Sequence, residues 1–407
     1  MAKNSISKYI LRNRRKIYVL KLMMCFILLF ILSGCFGGRE INDLEIVIGM
    51  GVDKGENTED ILLTAQVIKV HEIGNTSSGN GGGESKAYWN VSTTGTSIFE
   101  AIRQLTHKTG NRLFVSHNQA VIFGNDIASE GLQKYIDFFL RAHEMRPNVL
   151  ILIADDQASV VMDAKPETES LPAMNITKLV DAYGFTSHFY KVNMKDFASC
   201  LMSATTAPMA PLVRVSQDIE NKDIHVSGMA VFKKDKMVGQ LTQDETRGLL
   251  WVLGKVESGV IIIPSLDNKG KAVFEITDAK SKVTPEIRNG KIVIHIKINE
   301  ESGLSEQTTT EDLATIPAFE AMQKTQAEVI RQEIMAAFHK SKELNADIFG
   351  FGEMLHKKHN SEWKIIQDKW EELYPTIELI IDVETKILKT DLLIKPATQG
   401  KENKDEH

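Results

Sequence analysis

Apolar and polar positions beyond residue 43 first alternate in short runs and then fall into helical spacing. Leu44-Glu45-Ile46-Val47-Ile48-Gly49-Met50 and Leu62 to Val70 are rich in β-branched and aliphatic residues, with Asp53, Lys54, Gly55 and Asn57 marking the turn between them. Ala87 to Val91 reads as a third strand. The Gly/Ser/Asn stretch from Gly74 to Gly83 is followed by neither Gly-Lys-Ser/Thr nor a helix start, so it reads as a hairpin loop and not as a phosphate cradle. The period then changes. Ile98, Ile102 and Leu105 share one face of a helix over 98–108, opened by Ser97 and Glu100 as a capping box and stopped by Gly110. A strand from Ala120 to Phe123, a helix from Leu132 to Ala142 and a buried strand from Val149 to Ala154 follow.

From Asp155 to Thr206 the spacing is helical but interrupted by Pro166 and Pro172, and Pro208 and Pro211 mark a boundary. Beyond it, Val213 to Ile219, His225 to Phe232 and Lys236 to Leu241 read as strands, and Thr242 with Glu245 opens a short helix. Four more strands are expected at Gly259 to Ile263, Ala272 to Thr277, Ser281 to Thr284 and Ile292 to Ile298. In the last of these, Ile292, Ile294, Ile296 and Ile298 line one face and His295 lies on the other. Glu300 to Glu311 is polar enough for a linker. A long helix over Ala318 to Leu344 comes next, then helices over Asp347 to Lys358 and Glu362 to Leu373, and a last alternating strand through Ile377, Leu379, Ile381 and Val383. Runs of strands with appended helices predict a multidomain α+β protein with mostly antiparallel sheets, not a doubly wound parallel one. The expected divisions are an N-terminal α+β portion over 35–206, a linker over 207–224, a C-terminal α+β domain over 225–395 and a disordered tail over 396–407.

The first 34 residues change the picture. Seven Lys and Arg residues up to Lys21, with no acid, precede an unbroken apolar run from Leu22 to Leu32 and then Ser33-Gly34-Cys35. That order is an export signal, and the apolar run is well short of the roughly 20 residues that span a bilayer. Leu32-Ser33-Gly34-Cys35 resembles the lipobox of bacterial lipoproteins. Small Ser33 and Gly34 expose the bond between Gly34 and Cys35 to a signal peptidase, and Cys35 offers the thiol that takes a diacylglyceryl thioether. With Cys25 removed and Cys35 acylated, Cys200 is the remaining thiol, so no internal disulfide is expected. Cys200 lies in the apolar run Phe197 to Met202 and reads as a buried small hydrophobe.

The net charge of -6 offers no phosphate-neutralising patch, and no nucleic-acid partner is expected. Nucleophile-elbow, zincin and paired-cysteine motifs are missing from the sequence. His356 and His359 have helical spacing for a shared metal but stand in a basic run with no third ligand. Asp155-Asp156 and Glu371-Glu372 are adjacent pairs whose carboxylates diverge on a helix. The expectation is therefore no catalytic residue, no cofactor and no metal.

Several stretches together resemble the Ger(x)C lipoproteins, the C subunits of GerA-type spore germinant receptors. They are Arg39 to Leu44 with Gly49-Met50-Gly51-Val52-Asp53-Lys54, Ser97 to Arg103, Asp137 to Arg141, Gly228 to Asp235, Glu245-Thr246-Arg247-Gly248-Leu249-Leu250-Trp251, Asn345 to Gly352 and Trp370 to Pro375. The likeness extends to about Leu393. The family often carries Trp-Asp after the lipidated cysteine, where this chain has Phe36-Gly37. The resemblance implies a non-enzymatic α+β lipoprotein on the outer face of the spore inner membrane, acylated at Cys35 and assembled with A and B subunits to sense nutrients. The segment Phe349 to Leu355, with glycines between aromatics, reads as a docking surface or as a helix-packing turn of the core. A solute-binding lipoprotein of a transporter is the alternative, and it would require two βαβ lobes.

Overall fold

The computed structural model describes residues 44–57, 59–69, 86–166, 169–216 and 223–390, together with Tyr18, 21–24 and Phe26 in the leader. Gly34, Cys35, the loop from Gly74 to Gly83 and the tail 396–407 lie outside the described residues. The chain forms two units, Met1–Leu44 and Glu45–His407. The described residues between Tyr18 and Phe26 are helical, and no described helix is long and apolar enough to cross a membrane.

The body begins with β1 (Leu44–Lys54), β2 (Ile61–Ile68) and β3 (Tyr88–Gly95), which pair antiparallel in sequence. Next come α1 (Ile98–Thr109), β4 (Arg112–Phe114), β5 (Ala120–Phe123), α2 (Asn125–Glu130), α3 (Gln133–Arg141) and β6 (Leu150–Ala154). Then α4 (Ala158–Met162), α5 (Pro172–Asp181) and α6 (Met194–Leu201) lead into β7 (Met209–Val215), β8 (Ile224–Lys233) and β9 (Lys236–Leu241). Among the described residues these strands make one nine-stranded sheet in the order β3-β2-β1-β5-β6-β7-β8-β9, with β4 beside β1.

Both flanks of this sheet are antiparallel, but β1, β5, β6 and β7 run parallel at its centre. Parallel neighbours need crossovers, and the helices between β5 and β7 supply them. Helical cover explains why β5 and β6 are buried along their whole length and carry continuous apolar runs. The stretch 207–224 is not a bare linker, because Met209–Val215 is paired on both sides. Strands β8 and β9, which follow that stretch, also belong to this sheet.

The remainder opens with α7 (Gln243–Leu253), followed by β10 (Val260–Pro264), β11 (Lys271–Arg288), β12 (Lys291–Gln307), α8 (Ile316–Glu343), α9 (Phe351–Lys358), α10 (Asn360–Ile366), α11 (Trp370–Leu373) and β13 (Glu378–Thr390). Its sheet has the order β10-β11-β12-β13, antiparallel except for the parallel pair β12 and β13. The expected linker from Glu300 is instead the second half of β12, and β11 is one strand where two pieces were predicted. Both proteins of this shape and doubly wound proteins place helices over a sheet. Here antiparallel pairing predominates and helices pack on two separate sheets, giving the expected α+β class.

The capping signals hold in detail. Thr242 and Glu245 exchange side-chain and backbone hydrogen bonds at the start of α7. At α1 the Ser97 hydroxyl accepts from the Glu100 amide, but the Glu100 carboxylate accepts from Thr96, one residue further out than a capping box requires. The His295 ring bonds Glu286 Oε2 at 2.7 Å on the outer face of β12.

Candidate functional site

The two positions expected to carry chemistry, Gly34 and Cys35, lie outside the described residues, so the site is approached from the body it would anchor. Three of the sequence blocks that carry the family resemblance turn out to be buried polar locks.

In the first, β1 lies under two helices. A Cβ on Gly49 would stand 2.6 Å from the Cβ of Ala173 in α5, so only glycine lets the helix come this near. Asp53 is buried at the end of the same strand. Its carboxylate accepts the amides of Ala158 at 2.7 Å and Ser159 at 2.8 Å, which satisfies otherwise open donors at the start of α4. Asp53→Ala strands both amides and is expected to cost about 1–3 kcal/mol. Chemical denaturation checks this, and an unchanged midpoint would contradict the role.

The second lock joins α7 to α8. Arg247 and Glu333 are buried and paired. Arg247 Nε donates to Glu333 Oε2 at 3.0 Å, Nη2 reaches Oε1, and Nη1 donates to the Val260 carbonyl at 2.8 Å. Trp251 Nε1 donates to Glu333 Oε2 at 2.8 Å. Burial works against the Arg247 charge, but the Glu333 carboxylate outweighs it and holds the guanidinium pKa above its ordinary value. A Cβ on Gly248 would lie 2.0 Å from the Glu333 carbonyl oxygen, so this residue sets how closely the helices approach.

The third lock is Asp347, whose carboxylate accepts the amides of Phe351 at 3.0 Å and Gly352 at 2.8 Å while its carbonyl accepts from Ala207 at 2.9 Å. Burial pushes the carboxyl up to about 6 against the pull of the amides of residues 349–352. Phe349 and Phe351 are buried and stacked, centroids 4.9 Å apart. Phe349 to Leu355 is therefore a packing turn of the core and not an exposed docking surface.

The weaker candidates disperse. His356 stacks on Trp363, centroids 5.9 Å apart, while His359 Nε2 faces the Pro285 carbonyl at 3.2 Å. Among the described residues no three His, Cys, Asp or Glu side chains gather as a metal site. Asp155 pairs with Arg214 and Glu371 with Lys233 at the surface. Cys200 is half-buried where full burial was expected. Burial, with Asp196 adding, raises its thiol pKa despite Lys255, which disfavours the reactive thiolate. A cleft of about 190 Å³ with mixed polar and apolar lining opens between residues 203–208, Lys233 and the Trp370 to Tyr374 segment. A second, more apolar groove lies between α1 and α3.

The comparisons agree with this architecture. Residues 37–215 match the family described as spore germination protein N-terminal domain, and residues 227–391 match spore germination B3/GerAC like, C-terminal. The chain is similar to spore germination protein KC of Bacillus subtilis (strain 168), 26% identical, with 94% of this chain and 98% of the relative covered. It is also similar to spore germination protein B3 of the same organism, 22% identical over 90% of this chain and 97% of the relative. A crystal structure of the GerBC protein matches with a TM-score of 0.52 at 18% identity, covering 84% of this chain and 97% of that one, which supports the fold. Both family matches together take in nearly all of the body, and the chain belongs to the Ger(x)C family of spore germination proteins.

Proposed function

We propose that this chain is the lipid-anchored, non-enzymatic C subunit of a nutrient germinant receptor. It is exported, cut between Gly34 and Cys35, and held by acyl chains on Cys35 at the outer face of the spore inner membrane, where it assembles with the receptor's A and B subunits. The observation that carries this reading is the full-length likeness to germination proteins, joined to the lipobox resemblance of Leu32-Ser33-Gly34-Cys35 in the sequence. Each buried methylene contributes about 0.8 kcal/mol, so one chain binds a bilayer marginally and two or more hold it. Confinement beside partner subunits then raises their effective concentration without any new contact. The body's contribution is a rigid platform, locked at Asp53, Arg247–Glu333 and Asp347, and no substrate or cofactor is assigned to it. The solute-binding alternative wants two closing βαβ lobes, whereas helical crossovers between parallel strands are confined here to the centre of the large sheet and to the β12–β13 connection.

Cys35→Ala tests the anchor. The variant is expected to lose metabolic lipid labelling, keep its basic leader, and abolish the nutrient response in a sporulating host that lacks the parental gene. A variant that is processed, membrane-bound and germination-competent like the parent would sink the proposal.

A further inference from the structure

We infer that the groove between α1 and α3 is a membrane-docking face that rests on an anionic phospholipid surface, an inference that depends on the Cys35 anchor proposed above. The groove is apolar along its floor and cationic along its rim. Phe99, which lines the groove, is 56% exposed. Phe99 packs on Phe138, centroids 6.3 Å apart, and the Arg103 guanidinium lies 5.0 Å from the Phe99 ring centre. Arg141 and Arg112 line the same groove, and Lys134 stands over Tyr135 at its other end. Arg112 and Arg141 are paired with Glu144 and Asp137, which leaves Arg103 and Lys134 as the unbalanced cations against Glu45 at the foot of the groove, on a chain whose overall charge is -6. An aromatic anchor ringed by arginine and lysine suits the boundary between acyl chains and phosphate headgroups.

Chain length says which surface covers this face. Glu45 stands ten positions after Cys35, and a chain of that length spans about 34 Å at most. Glu45 is held at the foot of the groove, because Asn111 Nδ2 donates to its carboxylate at 3.3 Å and Arg112, the next residue, lines the groove. A lipid on Cys35 therefore keeps this end of the body within a short tether of the bilayer. Once tethered, a cationic aromatic face meets anionic headgroups at high effective concentration, and a weak intrinsic affinity suffices to orient the body.

The test uses the full-length lipidated protein carrying Cys200→Ser, with a nitroxide attached through Phe99→Cys or, as control, through Ile365→Cys, an exposed position on α10. The protein is reconstituted in phosphatidylcholine vesicles containing about 30% phosphatidylglycerol. The label at position 99 is expected to lose most of its accessibility to a water-soluble nickel chelate and to gain accessibility to oxygen, while the label at 365 keeps an aqueous profile. Adding Arg103→Glu and Arg141→Glu should return the label at 99 to water while the protein still floats with the vesicles. Floating protein with an aqueous label at 99 overturns the inference and leaves the anchor intact. A label shielded only after the receptor's other subunits are co-reconstituted also overturns it, in favour of a protein partner. Protein that does not float and lacks lipid at its mature N-terminus defeats the anchor and this inference together.

Discussion

Arg247→Met is expected to lower the unfolding free energy by about 3–5 kcal/mol, because it leaves the Glu333 carboxylate charged, buried and short of its main partner. The guanidinium joins α7, α8 and β10 in one contact, so the loss should appear as a cooperative shift of the denaturation midpoint and not as local fraying. The double variant Arg247→Met with Glu333→Leu removes both charges and should regain much of the loss. What remains is the Trp251 indole N–H, which loses its acceptor and costs about 1–3 kcal/mol. A double variant as unstable as the single one would show that packing, not charge, holds this contact together.

Glu300→Gln is expected to stabilise the protein at pH 8 and to change little at pH 5. Glu300 is 1% exposed on the inner face of β12, and neither carboxylate oxygen has a partner in good hydrogen-bond geometry; the Ser302 hydroxyl on the same strand gives it weak support. Gln326 of α8 donates to Ser302 at 3.2 Å while its own amide oxygen is unpartnered. Burial pushes the Glu300 carboxyl up to about 7, with Ser302 pulling it down and Glu301 adding to the rise. A carboxyl raised in the folded state binds its proton more tightly there than in the unfolded chain. Stability is therefore full below the unfolded value of 4.5, falls as pH rises toward about 7, and stays reduced above it. The gap corresponds to roughly 3 kcal/mol at alkaline pH. Asp347 contributes a slope of the same sign that ends near pH 6, so the comparison of variant with parent between pH 6 and 8 isolates Glu300. Thermal midpoints measured at both pH values decide it. An equal shift at pH 5 and pH 8 would contradict the linkage.

These two contacts also show where sequence reading stops. Local signals carried well: the Thr242 cap, the Gly110 stop after α1 and the fully apolar β6 were each readable from neighbours a few positions away. Sequence pattern alone leaves Asp278 to Lys280 as a gap between two strands and reads the stretch from Glu300 as a linker. They are opposite one another in the β11–β12 ladder, and the pairing makes both of them strand. The Arg247–Glu333 contact spans 86 positions. Its available hint was an arginine beside a glycine just before the apolar run Leu249 to Leu253. Pairings across such distances leave no periodic trace, and the parallel centre of the large sheet was missed for the same reason. The lipobox resemblance of Leu32-Ser33-Gly34-Cys35 is the opposite case, a pattern of four adjacent residues that needs no fold to be read.

Among the described residues β13 is the last strand, and its parallel pairing with β12 joins positions about 85 apart, Val293 with Glu378. Contacts of such separation are slow to form, and until they do the β12 flank of the small sheet is an open strand edge. Truncation anywhere before Glu378 should accordingly yield aggregation or degradation, however complete the first 240 residues are.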